Sequence, residues 1–199
     1  MAVNPYLRPD EADALGSACV GIAGAGGLGS NCAMHLVRSG VGRLVIADFD
    51  TVNESNLNRQ FFFTDQVGRV KVEALRENLL RINPECDIRA VAARLGPENV
   101  KEVFDGCSVV VEAFDSAEAK AMIVKAFANG PVPLVTASGL AGWGRSNGIR
   151  LRRLGRSIVA VGDGETAVSP ETPPFSPRVG IAAAMEANAA ISIILGVEP

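Results

Sequence analysis

Val20-Gly21-Ile22-Ala23-Gly24-Ala25-Gly26-Gly27-Leu28-Gly29-Ser30 is the stretch that decides the fold. Its first four residues are small or apolar and stop at a glycine, which reads as a short buried strand. Gly24, Gly26 and Gly29 complete G-x-G-x-x-G with no spacer, and an amphipathic helix runs on to Ser39. Glycines let the backbone turn tightly and approach a phosphate, and the free N–H groups of a helix start offer a partly positive surface to an anion. Strand, turn and helix in this order predict the first unit of a nucleotide-binding sheet; a ligand-free tight turn is the plain alternative.

Outward from there, Arg43-Leu44-Val45-Ile46-Ala47 reads as a second strand. It ends at Asp48, about twenty residues past the last glycine, where a carboxylate can accept hydrogen bonds from ribose hydroxyls. NAD, FAD or an adenine nucleotide would satisfy this much equally. The discriminating stretch is Asn53-Glu54-Ser55-Asn56-Leu57-Asn58-Arg59-Gln60, followed by Lys71. A redox dinucleotide has no general need of two cations here, whereas a triphosphate does: Arg59 offers a planar fork of donors and Lys71 a compact charge. Asn53, Asn56 and Asn58 can fix the segment by bonding backbone groups in turns. After Val109-Val110-Val111, Asp115 falls at a strand's carboxyl end, where it could hold Mg²⁺ between phosphates or cap the helix predicted over 116–129.

Together these residues resemble the adenylyltransferase family that activates ubiquitin-like sulfur carriers, whose bacterial members include ThiF, MoeB and HesA. That family is similar to the activating domain of ubiquitin-activating enzymes. The resemblance rests on Gly24 to Asn31, Asp48-Phe49-Asp50, Asn56 to Gln60, Lys71-Val72-Glu73, Arg81-Ile82-Asn83-Pro84 and Asp115, and runs from about Ala18 to Ser138 with a weaker echo in Pro177 to Leu195. It implies that Gly24, Gly26, Gly27 and Gly29 surround ATP, that Asp48 holds the ribose and Asn56 lines the nucleotide, that Arg59 and Lys71 meet the phosphates, and that Asp115 binds Mg²⁺. Tyr6-Leu7-Arg8 resembles a segment whose arginine crosses a homodimer interface to the partner's ATP. The implied reaction is adenylation of the C-terminal glycine of a ubiquitin-like sulfur carrier ending in Gly-Gly. The compact length points first to the ThiF-like branch of thiamine biosynthesis and second to a molybdopterin-pathway carrier. An NAD-dependent oxidoreductase and a non-catalytic carrier-binding scaffold are the rival readings.

Many longer members carry two Cys-x-x-Cys pairs for a structural zinc; here Cys19, Cys32, Cys86 and Cys107 form no such pair, so no structural zinc is expected. Small buried hydrophobes, kept reduced, are their expected state. The chain has 199 residues, 48% hydrophobic and 21% charged, which fits one domain over 1–199 with a substantial core. A net charge of −3 without a basic run argues against nucleic acid. Arg150 to Arg156 reads as the solvated face of a hairpin or a landing site for an acidic carrier. Met1 to Glu11 lacks the apolar stretch of a signal peptide and no window is long enough for a membrane span, giving a cytoplasmic expectation.

The expected architecture is α/β, a Rossmann-like domain whose mostly parallel, partly mixed sheet is flanked by helices. Strands are predicted at 18–23, 43–48, 87–92, 108–113 and 133–137, helices at 28–39, 66–82, 97–104, 116–129 and 179–195, and an antiparallel pair at 147–154 and 157–161. Prolines and glycines in 162–177 predict an irregular connection, either a cover for the carrier tail or an ordinary loop. Phe61-Phe62-Phe63 reads as core, dimer interface or tail groove, and Gly142-Trp143-Gly144 as a tail entrance or a loop packed on one indole. His35, without a sequence partner, is not expected to act in catalysis.

Overall fold

The computed structural model describes residues 5–199, so Met1 to Asn4 of the N-terminal stretch lie outside it. In chain order the elements are α1 (Pro9–Ser17), β1 (Cys19–Ala23), α2 (Gly27–Arg38), β2 (Arg43–Ala47), α3 (Lys71–Leu80), β3 (Asp87–Val91), α4 (Val100–Val103), β4 (Val109–Glu112), α5 (Ala117–Phe127), β5 (Leu134–Ala137), β6 (Arg150–Leu154), β7 (Ile158–Gly162) and α6 (Ser176–Ile194). The strands form one sheet in the order β3-β2-β1-β4-β5-β7-β6, parallel throughout except for β6, which runs antiparallel to β7 at the edge.

Five parallel strands joined by helical crossovers make both faces of the sheet interior, which explains the unbroken apolar runs of β1 and β4. One face presents Val20, Ile22, Leu44, Ile46, Val109 and Val111 to α2, α3 and α6. The other presents Val45, Val110 and Leu134 to Phe104, Ile123 and Phe127. Gly21 is required by the Phe104 ring, because a Cβ there would lie 2.6 Å from Phe104 Cδ1. Ala182, Ala183, Ala187 and Ala190 let α6 lie close along α2.

The chain order reverses direction across the sheet between β1 and β4, the position where open α/β sheets form a crevice beyond their strand ends. Gly24 leaves β1, Asp48 leaves β2 and Asp115 follows β4 at that rim.

Several details differ from expectation: the strand predicted from Asn147 begins at Arg150, α4 is shorter than 97–104, and α6 begins at Ser176. The helix predicted from Gln66 begins at Lys71, because Gly68 takes φ +88° and residues 68–71 run back along 50–52, with Gly68 N–H donating to Val52 O at 2.8 Å and Lys71 N–H to Asp50 O at 2.9 Å. Asp115 does not cap α5: Ser116 does, its hydroxyl accepting from Ala119 N–H at 3.1 Å. An N-terminal helix, α1, also stands where none was predicted.

Candidate functional site

The glycine turn is shaped by two close approaches. Gly24 has φ +106° and sits against the end of β4, where a Cβ would meet Ala113 O at 2.8 Å; a Cβ on Gly29 would meet Gly24 O at 1.8 Å. Only glycine permits the start of α2 to fold back on the strand so tightly. Gly26 has nothing nearer than Gln60 Nε2, 3.9 Å from its would-be Cβ, so the turn's outer side is roomy.

Asp48 fastens this turn to the next element. Its Oδ2 accepts from Ala25 N–H at 2.6 Å and its Oδ1 from Asp50 N–H at 2.8 Å. Asp50 then pairs through Oδ2 with Lys71 Nζ at 3.0 Å. A continuous line of hydrogen bonds therefore runs from the glycine turn to Lys71, which is buried at the first residue of α3.

Arg59 reaches the same place from the other side. Its stem lies over the turn, with Cγ 3.6 Å from a would-be Gly27 Cβ. Its Nη1 donates to Ser55 O at 3.1 Å and Asn58 Oδ1 at 2.8 Å, contacts exposed to solvent. Two α2 side chains anchor this segment: Asn31 Nδ2 donates to Arg59 O at 2.9 Å, and Ser30 Oγ accepts from Phe61 N–H at 3.0 Å. Asn56 serves the turn, its Oδ1 accepting from Asn53 N–H at 3.0 Å. Gln60 is buried beside Gly26, and its Oε1 has no hydrogen-bond partner among the described residues.

Gly24, Gly26, Gly27, Gly29, Asp48, Arg59 and Lys71 are thus brought together. Asp115 enters two residues beyond Ala113, which packs on Gly24; it is exposed, and among the described residues it carries no ion pair. Arg8 is elsewhere. Its side chain, 70% exposed, pairs with Glu11 at 2.8 Å and Asp10 at 3.3 Å, and the neighbouring Leu7 approaches Gly40, beyond the far end of α2. Within one chain Arg8 does not join the turn. The three phenylalanines divide: Phe62 is buried, Phe61 packs on the core, and Phe63 is largely exposed and meets Phe61 edge-on with centroids 5.9 Å apart.

Sequence reading assigned no role to Ser30, Asn31, Asp50 or Gln60. The first three are signalled only by position, beside glycines or an acidic strand end, since their partners lie 21 to 31 residues away. It also missed Arg178, whose Nη1 donates to Gly144 O at 2.7 Å while Nη2 pairs with Asp163 Oδ2 at 2.7 Å. This clasp ties the start of α6 to the 139–148 loop and to the irregular 162–177 connection. There Trp143, exposed rather than enclosed by its loop, packs against Phe175 with the rings tilted by 60° and their centroids 5.5 Å apart.

A doubly wound sheet with this glycine turn, acidic strand end and paired cations defines a class, and the family model described as the ThiF family matches residues 2–199, so the chain belongs to the ThiF family. It is 34% identical over 189 residues to the "Adenylyltransferase and sulfurtransferase UBA4" of Candida glabrata, covering 92% of this chain and 44% of that one. It is 35% identical over 139 residues to the tRNA threonylcarbamoyladenosine dehydratase of Escherichia coli, covering 69% of this chain and 52% of that one. The molybdopterin-synthase adenylyltransferase of Salmonella typhimurium is 33% identical over 191 residues, covering 92% and 75%. The chain therefore spans about half the length of the first two relatives. Among solved structures, TcdA (CsdL) superposes with a TM-score of 0.87 at 25% identity, covering 94% of this chain and 89% of that one. E. coli MccB with ATP gives 0.75 at 25%, covering 95% and 59%.

Proposed function

We propose that this protein adenylates the C-terminal glycine carboxylate of a ubiquitin-like sulfur carrier, consuming ATP and releasing pyrophosphate. The observation that carries the reading is the line Ala25, Asp48, Asp50, Lys71, which fixes a buried cation to a phosphate-accommodating turn, with Arg59 over the same turn. The carrier carboxylate attacks the α-phosphorus, the bond to the β-phosphate oxygen breaks, and an acyl-adenylate remains. No protein nucleophile is needed. The residues align two anions that repel each other: N–H groups of the turn and Arg59 hold the triphosphate, and Lys71 follows the charge that develops on the leaving pyrophosphate.

Asp115 would be the Mg²⁺ ligand: it is an exposed carboxylate just past the end of β4, beside the glycine turn, and its cap role is taken by Ser116. When bound, the ion would neutralise phosphate charge. Because Arg8 stands apart from its own turn, it would act only across a homodimer. We read residues 1–199 as one domain, cytoplasmic, with a thiamine-pathway carrier as first substrate and a molybdopterin-pathway carrier as second.

Carrier-dependent exchange of labelled pyrophosphate into ATP, run with several Gly-Gly carriers, tests the reading; no exchange with any of them rejects it. A second reading, activation of a carboxylate on a tRNA, is favoured by the likeness to the tRNA dehydratase and to TcdA. Release of AMP that needs modified tRNA and no carrier would select it. Selective thermal stabilisation by NAD instead of ATP with Mg²⁺ would favour an oxidoreductase.

A further inference from the structure

The opposite end of the sheet holds a pair of thiols that the proposed reaction does not use. Cys19 opens β1, and Cys107 lies just ahead of β4. β1 and β4 pair with Val20 opposite Val109, and Ser108 N–H donates to Cys19 O at 2.8 Å. The two sulfurs, 88 positions apart in sequence, lie 3.6 Å from one another on the face packed by α4 and α5. Each residue is only 5% exposed.

We propose that Cys19 and Cys107 are a reactive dithiol site, which a two-electron oxidant of the peroxide class converts reversibly into a disulfide that clamps β1 to β4. A disulfide needs sulfurs about 2.05 Å apart, so about 1.5 Å of closure joins side chains whose backbones are already hydrogen-bonded. The chemistry of the pair favours one attacking sulfur. Either S–H can donate across the pair; with Cys107 as donor, and with Arg43, the register partner of Cys19 on β2, adding positive charge, the Cys19 thiol is lowered. In that arrangement the hydrogen bond to Cys19, and then burial, push Cys107 up. The other two cysteines differ. Burial, with Glu186 nearby, pushes Cys32 up; burial and then Asp87 push Cys86 up to about 11, and its S–H donates to Val41 O at 3.5 Å.

The reaction balances simply. The Cys19 thiolate attacks one peroxide oxygen, the O–O bond breaks, hydroxide leaves, and a sulfenic acid forms. Cys107 sulfur then attacks Cys19 sulfur, its proton and the sulfenic hydroxyl leaving as water. Two thiols and one hydrogen peroxide give one disulfide and two waters. The site lies at the amino ends of the strands, whereas Gly24 and Asp115 lie at the carboxyl ends, so it stands or falls independently of nucleotide chemistry.

The test uses the folded wild-type chain with equimolar hydrogen peroxide. Peptide mapping by mass spectrometry is expected to find one Cys19–Cys107 cross-link, two hydrogens lighter than the dithiol and restored by dithiothreitol, with Tm raised by about 5–10 °C in the oxidised form. Cys107→Ser is expected to accumulate a dimedone-trapped sulfenic acid on Cys19. The proposal is overturned if both thiols stay free at tenfold excess peroxide while the chain is folded, or if Cys32 or Cys86 oxidises as fast as Cys19.

Discussion

Lys71 and Arg178 are buried to similar depth, their side chains 7% and 3% exposed, yet they are held in opposite ways. Lys71 has one carboxylate, Asp50, itself 48% exposed and thus free to move into water. Arg178 has two backbone carbonyls and Asp163, which is 12% exposed and already bonded by Glu165 N–H at 2.8 Å and Thr166 N–H at 2.9 Å. A cation with one yielding partner can be transferred to an incoming anion. A cation forked into three fixed acceptors cannot, and serves as a fastening. The two pairs are therefore expected to respond to substitution along different axes, activity for the first and stability for the second.

The sharpest way to break this contrast is Lys71→Ala. Under the proposed adenylation, ATP–pyrophosphate exchange falls by about 10²–10⁴-fold, the scale of losing a preorganised charge. Stability falls little, because the remaining Asp50 is half exposed and resolvates. An exchange rate within threefold of wild type, or a loss of activity that tracks unfolding, removes Lys71 from the site. Asp115→Ala is the parallel test beyond the end of β4.

Arg178→Met addresses the fastening. Removing one partner of a buried pair costs about 3–5 kcal/mol, and for a chain of this size that lowers Tm by about 10 °C. Urea unfolding measures it; a change below about 1 kcal/mol would show the clasp to be decorative. The pH dependence has a definite sign. Burial pushes Asp163 upward, but the N–H groups of Thr166 and Glu165, the Thr166 hydroxyl and Arg178 outweigh it and hold its carboxyl below 3.8. A depressed carboxyl contributes stability above its unfolded value, and that stability is lost as pH falls through the folded value. Wild type is therefore expected to lose more stability in acid than Arg178→Met does.

The same contrast explains what could be read in advance. The turn from Gly24 to Gly29, the strand end at Asp48 and the pair Arg59 and Lys71 are local signals, legible because backbone conformation and neighbouring residues set them. The Rossmann-like sheet followed from the same spacing, including its antiparallel edge. Asp50 as the partner of Lys71, Asn31 as the anchor of Arg59, and Arg178 as the clasp on Asp163 depend on where the sheet brings distant segments, which no local pattern encodes. The late start of α3 has the same origin, since residues 68–71 are pulled straight by pairing with 50–52. Asp115 and Ser116 are both good caps, and only the turn geometry decides between them.

Glu186 supplies the limiting case, a buried group with neither kind of partner. It is fully buried on α6, and among the described residues neither carboxyl oxygen has a hydrogen bond. Burial and then Glu112 push its carboxyl well above 4.5, against a smaller opposing pull from Lys120. A folded-state proton affinity above the unfolded value makes this group's contribution complete below about 4.5 and lost as pH rises through the folded value. Glu186→Gln is therefore expected to gain about 1–2 kcal/mol at neutral pH and none in acid. Equal unfolding curves at both pH values would mean that the carboxyl has found a partner.

The smallest effect tests the transfer of Lys71 most directly. If Asp50 is its resting partner, an arriving triphosphate must displace that carboxylate and tolerate its charge. Asp50→Asn keeps an acceptor oxygen in place and removes the charge, so ATP is expected to bind a few-fold more tightly, within the roughly 1 kcal/mol typical of a partly exposed ion pair. Titration calorimetry with ATP and Mg²⁺ reads this. Tighter binding joined to unchanged or slower turnover fits a partner that lets go, because ground-state affinity gained this way does nothing for the transition state. Weaker binding would mean that Asp50 holds Lys71 in its working position throughout, making the pair a fastening like that of Arg178 and Asp163.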